Sequence, residues 1–242
     1  MEIRAVNLTK RFGSSIALDS INFDIKGKGI IGYLGPNGAG KTTTFKILSN
    51  LIKPTSGEAF INGISIKNHM EALKNVSSLV DDPEPYSDMT IKEFLEFIGM
   101  IRRMDDKTLS KRIEELRKEL RLEDLNKKCG NLSKGNKQRV VIAAVLLPDT
   151  DILLLDEPTS GLDPAEAYDI KNILKKLKKT KLIMLSSHLL DEVRELCDYV
   201  ILIDKGKIIA EGRIGSIIKK FGKGRGEKGL EKAYINLVRG KL

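Results

Sequence analysis

Residues 35–42 read Gly35-Pro36-Asn37-Gly38-Ala39-Gly40-Lys41-Thr42, in the order glycine, four residues, glycine, lysine, threonine. Glycines so spaced let successive backbone N–H groups curl around phosphate oxygens. A helix opening at the lysine points its N-terminus at the same anion. Lys41 would contact the β- and γ-phosphates, and the Thr42 hydroxyl would ligate Mg²⁺. More than a hundred residues later comes Ile152-Leu153-Leu154-Leu155-Asp156-Glu157. Its apolar run predicts a buried strand whose acids emerge at the C-terminal end, where open α/β sheets bind ligands. There Asp156 can hold Mg²⁺ through water, and Glu157 can orient and deprotonate an attacking water. Between the two stands Leu132-Ser133-Lys134-Gly135-Asn136-Lys137-Gln138-Arg139, whose Leu-Ser-x-Gly start is weak by itself because it is common by chance.

Positioning these groups takes alternating strands and helices. Segments near Ile3–Leu8, Leu18–Ile25, Ile30–Leu34 and Glu58–Ile66 read as strands separated by Gly, Asn and Pro. The phosphate loop follows the third strand and opens a helical pattern from Lys41 to Leu51, broken by Pro54-Thr55-Ser56-Gly57. From Thr90 to about Leu125 the pattern is charged, amphipathic helix, with Ile91, Phe94, Leu95 and Ile98, then Leu109, Ile113, Leu116 and Leu120, at helical spacing. Strand-like Ile152–Leu155 and Leu182–Leu185 then alternate with helices near Ala165–Lys178 and Leu189–Leu196. Two β-rich segments, Tyr199–Asp204 and Lys207–Glu211, close the core. The alternation predicts an α/β chain with a mainly parallel sheet.

A chain of 242 residues, 41% apolar, can bury a full core. Its longest apolar run, Val140 to Leu147, is eight residues, far short of the roughly 20 that cross a bilayer. Met1-Glu2-Ile3-Arg4 lacks an apolar signal core, and Cys129 and Cys197 lack metal-site spacing. The expectation is a cytoplasmic protein with reduced thiols, unless a partner holds it at a membrane. The net charge of +9 is uneven, because residues 213–242 carry nine Lys or Arg against two Glu, giving 9 − 2 = +7. That distribution argues against a uniformly basic nucleic-acid-binding surface. The basic end suits an anionic membrane surface, an acidic partner, or a solvated helix with Gly-rich hinges.

With these positions in view, the chain resembles the ATP-binding subunit of ABC transporters over about residues 2–212. Leu132-Ser133-Lys134-Gly135 looks like that family's signature, Ser160-Gly161-Leu162-Asp163 like its D-loop, and His188 in Ser186-Ser187-His188 like its switch histidine. The resemblance implies a phosphate-loop NTPase core with an N-terminal antiparallel β subdomain and an α-helical subdomain. It implies an ATPase domain at 1–212 with the helical part inserted at about 82–147, followed by a basic C-terminal extension at 213–242.

The family roles carry over position by position. ATP and Mg²⁺ would be the ligands, with Gly35 through Thr43 binding nucleotide. Two copies, or this chain and a paralogous ATPase subunit, would face head to tail. Each ATP would lie between one copy's loop and the other's Ser133 and Gly135. His188 would contact the γ-phosphate beside Glu157, and Phe12, after Lys10-Arg11, matches the aromatic that stacks on adenine. Asp81 stands where the family usually has Gln; a carboxylate there can still approach Mg²⁺ or the water. Asn136 likewise replaces the usual Gln of the signature. Pro83-Glu84-Pro85-Tyr86, with Phe94 and Phe97, would border the groove for an integral membrane permease subunit.

The resemblance thus implies an ATPase powering transport through that partner, at the inner face of the cell membrane, with no specific nucleic acid expected. Gly-Pro-Asn-Gly-Ala-Gly-Lys-Thr-Thr-Thr, the acid at Asp81 and a terminal helix at Gly229–Val238 are similar to drug- and antibiotic-exporter subunits, which favours export. The alternative is a soluble ABC-type ATPase acting on nucleic acid or the ribosome, or in cofactor assembly. Proteins of the nucleic-acid kind usually carry two such domains or a coiled-coil insertion, and neither is read in this sequence.

Overall fold

The computed structural model describes residues 1–122, 124–222 and 229–238. Much of the basic end, 223–228 and 239–242, therefore lies outside the described residues. Two sheets organise the chain. The first, ordered β2-β1-β4-β5, is antiparallel and comprises β1 (Glu2–Phe12), β2 (Ser15–Lys26), β4 (Ser56–Ile61) and β5 (Ile64–Ser65). The second is ordered β10-β9-β3-β8-β7-β6. In it β3 (Gly29–Leu34), β6 (Val76–Leu79), β7 (Ile152–Asp156), β8 (Leu182–Ser187) and β9 (Tyr199–Asp204) run parallel, and β10 (Lys207–Arg213) returns antiparallel at one edge.

Every residue of β3, β7 and β8 is buried, as in parallel sheets covered on both faces. Side chains alternate across a strand, and the core divides accordingly. Ile31, Tyr33, Ile152, Leu154, Leu182, Met184, Ile201 and Ile203 pack toward the antiparallel sheet and helix α1 (Lys41–Leu48). Ile30, Leu34, Leu153, Leu155, Ile183, Leu185, Val200 and Leu202 face the opposite layer.

That layer is helical. After the short α2 (His69–Ala72), it holds α3 (Ile91–Ile101), α4 (Asp106–Glu119), α5 (Lys134–Leu146), α6 (Pro164–Leu177) and α7 (Leu190–Leu196). Local chemistry starts each long helix. Thr90 and Glu93 form a reciprocal capping box on α3, and Asp105 caps α4. Ser133 caps α5, and Asp163 with Glu166 boxes α6, with Pro164 in its first turn. α8 (Ile214–Phe221) and α9 (Gly229–Val238) pack on each other, on α7 and on β10.

The segment expected as one strand at Glu58–Ile66 is two, because Asn62 and Gly63 both take positive φ, 51° and 78°, and turn the chain back. The helical block breaks between α3 and α4, where Arg103 is left-handed at φ 54°. Three elements, α2, β6 and α8, lie outside the segments expected from sequence. β6 is four residues with two serines, and Ser77 is buried against the Thr150 hydroxyl at 3.0 Å. α8 follows β10 without a turn. The C-terminal helix is not simply solvated, since Leu230 and Ala233 are buried.

Candidate functional site

Strand order builds the site. β8 lies between β3 and β7, with Leu34 opposite Ser187 and Asp156 opposite Ser186. The loop after β3, the acids ending β7 and the turn after β8 therefore open side by side at the carboxyl edge of the sheet, where such folds hold ligands. From that edge Gly35–Gly40 lead into α1. Gly35, Ala39 and Lys41 are buried, while Pro36, Asn37 and Gly38 are exposed and Gly40, Thr42 and Thr43 are half-buried. Gly40 sits at φ 107°, and a Cβ there would stand 2.6 Å from the Ala17 carbonyl oxygen of β2. Glycine is the residue that tolerates both the dihedral and the approach. The same contact seats the loop against the β1–β2 hairpin, where Phe12 is 53% exposed with the Lys10 ammonium 4.9 Å over its ring.

The Lys41 ammonium donates to the carbonyls of Gly35 at 2.9 Å and Pro36 at 3.1 Å, and stands 3.4 Å from Glu157 Oε1. Glu157 is left-handed at φ 47°, a conformation costly for a non-glycine residue. Its backbone N–H is held by Ser186 Oγ at 3.0 Å, and the Ser186 hydroxyl donates to Asp156. Glu157 Oε2 lies 3.1 Å from His188 Nδ1. Lys41, Glu157 and His188 thus form one contiguous chain of polar contacts.

Thr42, at the head of α1, and Asp156, 8% exposed at the end of β7, offer a hydroxyl and a carboxylate oxygen. These hard donors fit Mg²⁺, which takes one or two protein oxygens and fills its shell with phosphate and water. Asp81 is placed otherwise. Its carboxylate pairs with Lys46 of α1 at 2.7 Å.

The signature residues stand apart. Ser133 accepts the Asn136 N–H at 3.2 Å, and Gly135 is buried against the Glu166 carboxylate. No hydrogen bond or ion pair among the described residues joins Ser133 or Gly135 to Lys41, Glu157 or His188. Gln138 of α5 does reach the site's frame, donating to the Pro158 carbonyl at 3.2 Å from a buried position. In the aromatic group, Phe94 is buried, Phe97 half-buried and Tyr86 57% exposed, with Tyr86 edge-on to both rings at 6.0 and 5.8 Å.

Sequence reasoning missed the supports. Ser186, two residues before His188, fixes both acids. Glu192 of α7 is buried and takes hydroxyls from Thr159 and Ser187. An acid one turn after the histidine, on an otherwise apolar helix face, was the available signal.

The family described as ABC transporter matches residues 18–160. The bacitracin transport ATP-binding protein BcrA of Bacillus licheniformis is 39% identical over 213 residues, spanning 86% of this chain and 69% of that protein. The probable multidrug ABC transporter ATP-binding protein YbhF of Escherichia coli (strain K12) is 33% identical over 240 residues, 98% of this chain and 41% of that protein. A solved ATP-binding subunit of an ABC transporter superposes with a TM-score of 0.89 at 27% identity, covering 98% of this chain and 100% of that one. The dimeric post-hydrolysis state of the ATP-binding cassette MJ0796, bound to ADP and Pi, superposes with a TM-score of 0.79 at 28% identity, over 88% and 98% of the two chains.

Proposed function

The chain belongs to the ABC transporter family as an ATP-binding, ATP-hydrolysing subunit, and from that premise we propose that it powers export through a separate transmembrane permease. Export is supported by the bacitracin and multidrug relatives. Among the described residues no helix is long and apolar enough to cross a membrane, so the translocation path falls to the partner. That partner would hold the subunit at the inner face of the cell membrane, against Tyr86, Phe94 and Phe97. Residues 1–212 would act as the ATPase unit, with 82–147 as its helical part and 213–242 as an extension.

The single observation that carries the catalytic reading is the convergence of Lys41, Glu157 and His188 on one sheet edge. Gly35 through Thr43 bind and orient the phosphates, through every backbone N–H of the loop except that of Pro36, which has none, and through the Lys41 ammonium, and Phe12 offers its exposed face to the adenine. Thr42 and Asp156 hold Mg²⁺, which when bound supplies charge neutralisation at the β- and γ-phosphates. Asp81 joins that set once its pair with Lys46 opens. Glu157 takes the proton of the attacking water, and His188 keeps the Glu157 carboxylate in place and contacts the γ-phosphate. Ser133 and the Gly135 N–H serve the nucleotide of a second subunit, from the start of α5.

Replacing Glu157 with Gln tests this directly. Turnover should fall by about 10²–10⁴, while ATP still binds and holds two subunits together, as read by sedimentation. An unchanged rate would remove Glu157 from its role. Failure of any permease to co-purify with the paired subunits would remove the transport reading alone.

A further inference from the structure

We propose that Glu192 is a positioning residue of this ATPase, whose buried carboxylate ties the loop after β7 to the turn after β8 and thereby sets the Glu157–His188 contact. The proposal rests on the reading of that contact given above.

Glu192 lies in the first turn of α7 and is 7% exposed. A carboxylate so buried is costly unless hydrogen-bonded. Both of its oxygens are used, and neither partner belongs to α7. Oε1 takes the hydroxyl of Thr159, two residues beyond Glu157. Oε2 takes the hydroxyl of Ser187 at 2.6 Å, one residue before His188. Ser187 Oγ in turn accepts the Leu189 N–H at 3.0 Å, so the backbone is pinned on both sides of the histidine.

Other restraints on His188 are few. Its side chain is 41% exposed and joined to Glu157 at 3.1 Å, while a cleft of about 670 Å³ opens beside Thr159, His188 and Leu189. Packing therefore leaves the imidazole free on that side, and the frame beneath it must come from Ser187. Glutamine, a near-isostere of Glu192, keeps one accepting oxygen, and its amide nitrogen can only donate, so one of the two hydroxyls must reverse its proton and accept from it. The charge is lost from both bonds, and the tie between the two loops is weakened.

The test compares the full chain with E192Q, T159V, S187A, H188A and the double variant H188A/E192Q. Single-turnover ATP hydrolysis, ATP affinity and thermal midpoint are read for each. E192Q should hydrolyse about tenfold more slowly, with ATP affinity within about twofold of the parent. In the H188A background E192Q should cost nothing further beyond about twofold, because two residues acting as a unit are not additive. T159V and S187A, each cutting one arm, should slow hydrolysis by a smaller factor and supply the same cycle if E192Q misfolds. Full-rate hydrolysis in E192Q, or equal fractional losses with and without His188, overturns the positioning role while leaving the reading of the site intact. Parental hydrolysis in H188A overturns the reading of the site, and this proposal with it.

Discussion

Lys41 and Glu157 are ion-paired at 3.4 Å, so the proposed phosphate ligand and the proposed general base hold each other. The Lys41 ammonium also donates to Gly35 and Pro36 carbonyls. With only three protons to give, it can meet a γ-phosphate only by releasing one of these partners. The pair thus opposes nucleotide entry while holding Glu157 at the site. Replacing Glu157 with Gln should tighten ATP binding by about 0.5–1 kcal/mol, a factor of roughly two to five. Nucleotide titration at low salt and low protein concentration checks this. Weaker binding in the variant would show that the carboxylate helps to hold the lysine ready instead.

Asp81 tests how much the loop after β6 depends on its ion pair. It is left-handed at φ 70°, its neighbour Asp82 is at φ 50°, and its side chain, 60% exposed, reaches Lys46 at 2.7 Å. An exposed pair contributes about 0–1 kcal/mol, and left-handed backbone strain offsets part of that. Asp81→Gly should therefore shift stability by less than about 1 kcal/mol, whereas Asp81→Val should destabilise by about 1–2 kcal/mol, because a β-branched residue resists positive φ. Urea titration of the two variants separates the cases. Equal losses would place the cost in the ion pair rather than the backbone.

The acid limb of stability has an identifiable contributor on α4. Glu114 takes two guanidinium N–H groups from Arg117 at 2.7 and 2.8 Å, with Lys118 at 3.4 Å. The Arg117 hydrogen bonds hold the Glu114 carboxyl down at about 2, from the usual 4.5. A depressed carboxyl binds fewer protons folded than unfolded, so its stabilisation is present above the unfolded value and is lost as pH falls through the folded one. Glu114→Gln should melt below the parent at pH 6, and the two midpoints should approach each other between about pH 4.5 and pH 2. The gap will be small because the group is solvent-exposed. A gap that widens on acidification would contradict the sign.

Much of this was legible in the chain because it is written in local chemistry. The phosphate loop and the buried strand ending in Asp156-Glu157 each follow from a few adjacent residues. The alternation of strand and helix implied the parallel sheet, and strand order then brought Lys41, Glu157 and His188 together. Long-range supports were not legible. Ser186 fixes Asp156 and Glu157 across a strand pair, and Glu192 joins residues of two loops. No window of sequence places these partners side by side. The partner of Asp81 was hidden for the same reason, since Lys46 lies on α1, 35 residues earlier in the chain. β6 was hidden because it is four residues long and its buried Ser77 finds its partner, the Thr150 hydroxyl, 73 residues away in the chain.

Gly135 offers a case where fold and pairing can be separated. A Cβ on it would stand 2.0 Å from Glu166 Oε1 and 2.1 Å from Oε2. That carboxylate is the returning half of the α6 capping box, accepting the Asp163 N–H at 3.3 Å while the Glu166 N–H donates to Asp163 at 2.8 Å. Gly135→Ala must therefore swing the Glu166 side chain away and undo that half of the box, at a cost of about 1 kcal/mol. Glu166→Ala removes the same bond without a clash, so the double variant should be no less stable than Glu166→Ala alone, a non-additive result. ATP-dependent pairing should not recover with stability. In the proposed arrangement the Gly135 N–H meets the other subunit's phosphate, and the methyl group still crowds that approach after Glu166 is shortened. Thermal melts and sedimentation with ATP, run on the same three variants, give the two readings independently. Pairing that returns together with stability would mean that Gly135 serves only the packing of α5 on α6.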